Sequence, residues 1–165
     1  MSVITYIYPR DLNALAIEPL LAEIRKQVDY VTIGELELKK RSTPDWQAVV
    51  FCHPSEPEVE MLFVVSRNSK ENIDDLGEQY RKMPEFSVVQ SATIMIWSQL
   101  KWPHLPLKRF MKISAVYEEV LATVADVSDG VIDSPERERL FTPSTFRRYV
   151  RMYQRRFEHL GTSRR

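Results

Sequence analysis

The sequence predicts a single α+β domain over residues 1–165. Its expected form is a mixed, largely antiparallel sheet with helices packed on one face and a basic amphipathic helix at the end of the chain. Three observations predict it. Short runs of β-branched and aromatic residues alternate with stretches whose apolar residues recur at helical spacing. Three strand-like runs follow one another in mid-chain, which argues against a doubly wound parallel sheet. The final stretch sorts apolar and arginine residues onto opposite faces. A chain of 165 residues is long enough to bury one core.

The elements follow in order. Residues 3–8 are β-branched and aromatic and stop at Pro9, as a strand does. Pro19 suits the first turn of a helix whose apolar side is Leu20, Leu21, Ile24 and Val28. Residues 30–39 read as a strand in which Val31 and Ile33 give way to Leu36 and Leu38; a bulge at Gly34 explains the change of phase. Residues 46–52 and 59–65 flank Pro54-Ser55-Glu56-Pro57-Glu58 and predict an antiparallel hairpin. Ile73, Leu76, Tyr80 and Met83 give the next helix one apolar side. Residues 86–100 read as a strand region centred on Ile94, Met95, Ile96 and Trp97. The stiff segment 102–106 launches a long helix over 107–127. Residues 131–133 and 139–141 read as short edge strands around Ser134-Pro135. The last helix has Thr142 as N-cap, Pro143 in its first position and Gly161 as a stop. The expected core is Val49, Val50, Phe51, Leu62, Val64, Ile94, Ile96, Phe110, Leu121 and Val150.

Charge is balanced overall but uneven along the chain. Residues 143–165 hold seven arginines and one acid, Glu158, a net of +6; the other residues carry 16 basic and 22 acidic side chains, a net of −6. On the final helix Phe146, Tyr149, Val150, Tyr153, Phe157 and Leu160 form the apolar stripe. Arg147, Arg148, Arg151 and Arg155 form the basic face and are candidate partner-binding residues. Glu56, Glu58 and Glu60 in the hairpin, with Asp74 and Asp75 beyond it, form a candidate acidic docking strip for a basic protein. Trp46, Trp97 and Trp102 are candidate aromatic anchors.

Catalytic and ligand motifs are sparse. Cys52 and His53 are adjacent, but neighbours on a strand point to opposite faces, so they are poorly placed to form a dyad. The single cysteine rules out an internal disulfide and fits a cytosolic address. His53, His104 and His159 lack metal-ligand spacing, and the Asp126, Asp129 and Asp133 run lacks the spacing of a calcium loop. The segment Ser66-Arg67-Asn68-Ser69 has the capping residues of a helix start but no glycine for close phosphate approach. No cofactor, metal or catalytic residue is expected. Neither a secretory signal nor a membrane span is expected.

The helix over 107–127, followed by Asp129-Gly130-Val131-Ile132-Asp133, resembles the end of several small uncharacterised bacterial proteins, some of the immunity or accessory type found with toxin systems. That resemblance implies a small protein-binding role and carries no catalytic residue across. The expected function is therefore a non-enzymatic protein-binding module, a neutraliser or accessory protein, with self-association as a further use of its opposed charges. Nucleic-acid binding through the arginine helix is the alternative. A small hydrolase built near Cys52 and His53 is the second alternative.

Overall fold

The computed structural model describes residues 2–28 and 31–162, with side chains as far as Arg156. Strand β1 (Ser2–Tyr8) pairs with two partners that are far from it in sequence. One is β5 (Ile94–Lys101), with Ser2 opposite Lys101 and Ile7 opposite Ile96. The other is β6 (Val131–Ser134), with Tyr6 opposite Asp133. Three strands extend the sheet beyond β5: β4 (Glu56–Arg67), β3 (Trp46–His53) and β2 (Thr32–Leu38). Strand β7 (Arg139–Phe141) closes the other side against β6. The order is β2-β3-β4-β5-β1-β6-β7, and every described pair is antiparallel. The sheet is thus antiparallel where a mixed one was expected, and β6 lies inside it rather than at its edge.

Alternation divides the sheet into two faces. On one, Val49 and Phe51 of β3, Met61 and Phe63 of β4, and Ile96 and Leu100 of β5 are buried. Three longer helices cover that face: α1 (Ile17–Gln27), α5 (Leu107–Val127) and α6 (Pro143–Thr162). Their Leu20, Ile24, Tyr117, Leu121, Phe146 and Val150 complete the main core. On the opposite face three short helices, α2 (Lys70–Asp74), α3 (Glu78–Arg81) and α4 (Phe86–Ser91), meet β1, β6 and β7. There Tyr8, Tyr80, Phe86, Val89, Val131 and Leu140 form a second, smaller core. Helices therefore lie on both faces, with the long ones on one.

Local chemistry explains most boundaries. The α5 bounds coincide with the apolar periodicity. Thr142 caps α6 by accepting the Thr145 N–H at 3.2 Å, and α6 runs to Thr162, past Gly161. Helix α1 starts after Ala16, which has no side chain to cap it. Asp45, just before β3, supplies the missing acceptor to the Ile17 N–H at 2.9 Å. Next to it, the Trp46 indole N–H donates to the Leu15 carbonyl at 2.8 Å, so two neighbouring residues hold the start of α1. The β2–β3 register shifts between Ile33 and Glu35, at Gly34. A Cβ on Gly34 would lie 2.6 Å from the Cys52 sulfur, so a larger residue at the bulge would have to displace that thiol. Gly130 is held more strictly: its Cβ would meet the backbone carbonyl of Tyr8 at 2.7 Å.

Two expectations are corrected. Residues 86–91 are helix α4 rather than strand, because Phe86, Val88 and Val89 bury against the second core. A short apolar run fits either element, and the core it meets decides. The helix carrying Ile73, Leu76, Tyr80 and Met83 is two helices, interrupted at Gly77, which sits at the start of α3. The expected core also divides. Val49, Phe51, Ile96, Leu121 and Val150 are buried, whereas Val50, Leu62, Val64, Ile94 and Phe110 are only half-buried.

The two faces should therefore respond differently to truncation. Phe63 makes edge contact with Phe51, ring centroids 5.5 Å apart, and is fully buried. Phe63→Ala is expected to cost about 3–5 kcal/mol. Leu62→Ala, its neighbour on the other face, should cost about 1 kcal/mol or less. Urea denaturation of the two variants measures the difference.

Candidate functional site

The face of the sheet opposite the main core is only partly covered. Cross-strand register puts Ala48, Val64, Trp97 and Tyr6 in one row and Val50, Leu62, Gln99 and Ile4 in the next. The second core takes Tyr6 from this surface; Ile4, Ala48, Val50, Leu62, Val64 and Trp97 pack against neither core. They are half-buried, shielding one another as neighbours on a pleat do. Beside them, on β2, Glu35 lies opposite Val50 and Glu37 opposite Ala48. A further row runs from Thr32 through Cys52 and Glu60 to Lys101. Glu58 shares the face, being two residues before Glu60 on β4. All four glutamates are exposed. Set against Lys101, they make an apolar strip with an acidic border.

The sequence pointed to part of this surface. Glu58 and Glu60 lie on it, and so does Trp97, while Trp46 is buried and Trp102 packs against Phe110. Glu56 does not belong to it: Arg109 of α5 holds its carboxylate with two hydrogen bonds of 2.5 and 2.6 Å. Asp74 and Asp75 are exposed but follow the far end of β4. The nine residue-to-residue steps from Glu58 to Arg67 span about 30 Å of strand. The five acids thus form no continuous strip. Glu35 and Glu37 were missed because the bulge at Gly34 blurs the alternation of β2. Val50, Leu62 and Val64 were assigned to the core because β3 and β4 are apolar on both faces, the pattern of a strand covered on two sides.

The basic helix also divides. Arg147 donates to Glu119 and to Asp126 of α5, each at 3.0 Å, and its side chain is 22% exposed. It fastens α6 to α5, a correction to its expected place on the solvent face. Arg148, Arg151 and Arg155 are exposed as expected, and so is Arg156. Of the apolar stripe, Phe146 and Val150 are buried, Tyr149 is half-buried and Tyr153 is 43% exposed. Phe157 and Leu160 lie outside the described side chains.

Cys52 and His53 point to opposite faces. The Cys52 thiol lies on the open face near Glu60 and Glu35; burial, followed by these carboxylates, raises its pKa and disfavours the reactive thiolate. His53 is buried, and its Nδ1 accepts the Ser55 N–H at 3.1 Å and meets the Ser55 hydroxyl at 2.7 Å, which closes the hairpin turn. Burial and then Lys112 lower its pKa. The three aspartates of the 126–133 run are dispersed. Asp126 pairs with Arg147, Asp129 with Arg10, and Asp133 is buried in β6. No helix among the described residues is long and apolar enough to cross a membrane. Compared with protein-family models, curated proteins and solved structures, the chain matches none.

Asp133 is the most perturbed carboxyl. It is 2% exposed, it is hydrogen-bonded to Tyr80, and its Oδ1 has no partner among the described residues. Burial pushes its pKa up to about 6, and the Tyr80 hydrogen bond offsets only part of the rise. Its charge in turn helps, after burial, to raise the Tyr8 and Tyr80 hydroxyls.

An aspartate in the unfolded chain titrates near about 4, so the native state binds this proton more tightly. Stability from Asp133 is therefore present at low pH and is lost as pH rises from about 4 through about 6, a deficit of about 2–3 kcal/mol at neutral pH. Asp133→Asn is expected to raise stability at pH 7 and remove that slope, measured by urea denaturation at pH 4.5 and 7. Reversing a helix charge separates the arginines. Arg147→Glu places a third acid beside Glu119 and Asp126 and should cost about 1–3 kcal/mol, whereas Arg151→Glu should change stability by less than about 0.5 kcal/mol. Thermal unfolding distinguishes the two.

Proposed function

We propose that this protein is a protein-binding module whose interface is the open sheet face, and that its partner presents a basic, amphipathic segment. The observation that carries the reading is the set of six apolar side chains outside both cores, bordered by Glu35, Glu37, Glu58 and Glu60. Apolar surface left in water offers binding energy, and an acidic border selects a cationic partner and speeds its approach. Trp97 supplies the aromatic anchor such interfaces favour. The role agrees with the one implied by the resemblance of residues 107–133 to immunity and accessory proteins.

The test joins capture to mapping. Wild-type protein is used to isolate a partner from the native host, and the purified pair is then titrated. Leu62→Arg with Val64→Arg should abolish binding. Glu35→Lys with Glu37→Lys should weaken it about tenfold or more, with a reduced dependence on salt. Circular dichroism should show both variants folded. Failure to isolate a partner, or unchanged affinity in both folded variants, overturns the reading.

The exposed Arg148, Arg151, Arg155 and Arg156 support nucleic acid as a second reading. DNA or RNA at low salt would then shift the mobility of the wild type and not of Arg148→Glu with Arg151→Glu. The protein-binding reading expects no shift.

A further inference from the structure

A second feature lies on the helical side of the sheet, away from the open face. Between β1, β5, α5 and α6 there is a cavity of about 290 Å³. Its walls are mixed: Val3, Leu100, Phe110 and Leu121 supply apolar surface, and Thr5 and Ser114 add hydroxyls between them. Its size is at the lower end of the range for small-molecule sites, about 300–1,000 Å³, which suits an amino-acid-sized molecule and not a nucleotide.

One end of this cavity is charged. Arg137, from the short turn between β6 and β7, donates to Glu118 of α5 at 3.0 Å. Their side chains are 22% and 14% exposed. The guanidinium carbon lies 4.9 Å from the Tyr149 ring centroid and 5.6 Å from that of Phe146, so two rings hold it in place. No other described group accepts a hydrogen bond from Arg137, which leaves it with further N–H donors for an anion. Glu136 also lines the cavity and is exposed, so the charged end has two carboxylates for one guanidinium.

This combination restricts the ligand. A simple carboxylate would meet Arg137 but also both glutamates. A simple amine would meet the glutamates but also Arg137. A molecule with both charges satisfies both, and an apolar body fills the walls. We infer that the cavity binds a zwitterionic α-amino acid with a large apolar side chain, its carboxylate on Arg137, its ammonium on Glu118 and Glu136, and its side chain between α5 and α6. This site is independent of the sheet interface and would stand if that reading failed.

Isothermal titration calorimetry tests it on the full chain. The probes are L-phenylalanine, L-leucine and L-methionine, with 3-phenylpropionate lacking the ammonium and 2-phenylethylamine lacking the carboxylate. At least one amino acid should bind with one-to-one stoichiometry and be favoured over either singly charged analogue by about tenfold or more, since each analogue leaves a charged group unpaired. Arg137→Gln should reduce amino-acid affinity by a similar factor while leaving 2-phenylethylamine no weaker. Ser114→Leu, at a half-buried position on the cavity wall, should block binding without removing a charge. Absence of binding by all three amino acids, equal binding of an analogue lacking one charge, or full affinity in folded Ser114→Leu overturns the inference.

Discussion

The sheet is continuous because β1 fits between β5 and β6. One edge of β1 pairs with residues 96–101 and the other with residues 131–133, so seven residues join a four-stranded meander to a small hairpin. The insertion also fixes the helices. Ser98 of β5 donates its hydroxyl to the Thr5 carbonyl of β1 at 3.2 Å and meets the Tyr117 hydroxyl of α5 at 2.7 Å. That knot is buried, and the Tyr117 hydroxyl is pushed up to about 12 mainly by its burial. At its end, β1 places Ile7 in one core and Tyr8 in the other. Both cores therefore depend on the register of one strand, and a slip of one residue would exchange their contents.

Pairings of this kind are the part of the structure that sequence reading does not reach. Periodicity located α5, the bulge at Gly34, the hairpin of β3 and β4, and the cap at Thr142. Each of those depends on residues near one another in the chain. The position of β1 beside β5 and β6 depends on contacts about 90 and 125 residues away, for which no local pattern exists. The same limit explains α4. Phe86, Val88 and Val89 are apolar in either reading, and only the second core, itself a product of distant pairing, makes them helical.

The candidate sites were partly legible for a related reason. Charge is visible in a sequence, but pairing is not. Every acid and arginine is visible in the sequence, yet Glu56 is taken up by Arg109 and Arg147 by Glu119 and Asp126. What remains at the surface is the portion of each set that the fold does not use: Glu58, Glu60, Asp74 and Asp75 among the acids, and Arg148, Arg151 and Arg155 among the arginines. The Arg137–Glu118 pair was not anticipated at all. Its two residues are 19 apart and lie on different elements, and nothing in the charges around either one marks the other as its partner.

Strand β2 shows how the fold protects itself. It lies at an outer edge of the sheet, and Leu36 and Leu38 are 38% and 52% exposed there. A regular edge with exposed leucines is a template on which another chain can add a strand, the first step of runaway polymerisation. Here the register breaks at Gly34 and again between Glu37 and Leu38. Each break twists the strand and interrupts the evenly spaced donors and acceptors that a docking strand would need. Lys39, Lys40 and Arg41 then add three like charges just past its end, all exposed. The irregularity that hides the alternation of β2 from sequence reading also acts as a gatekeeper against fibre growth.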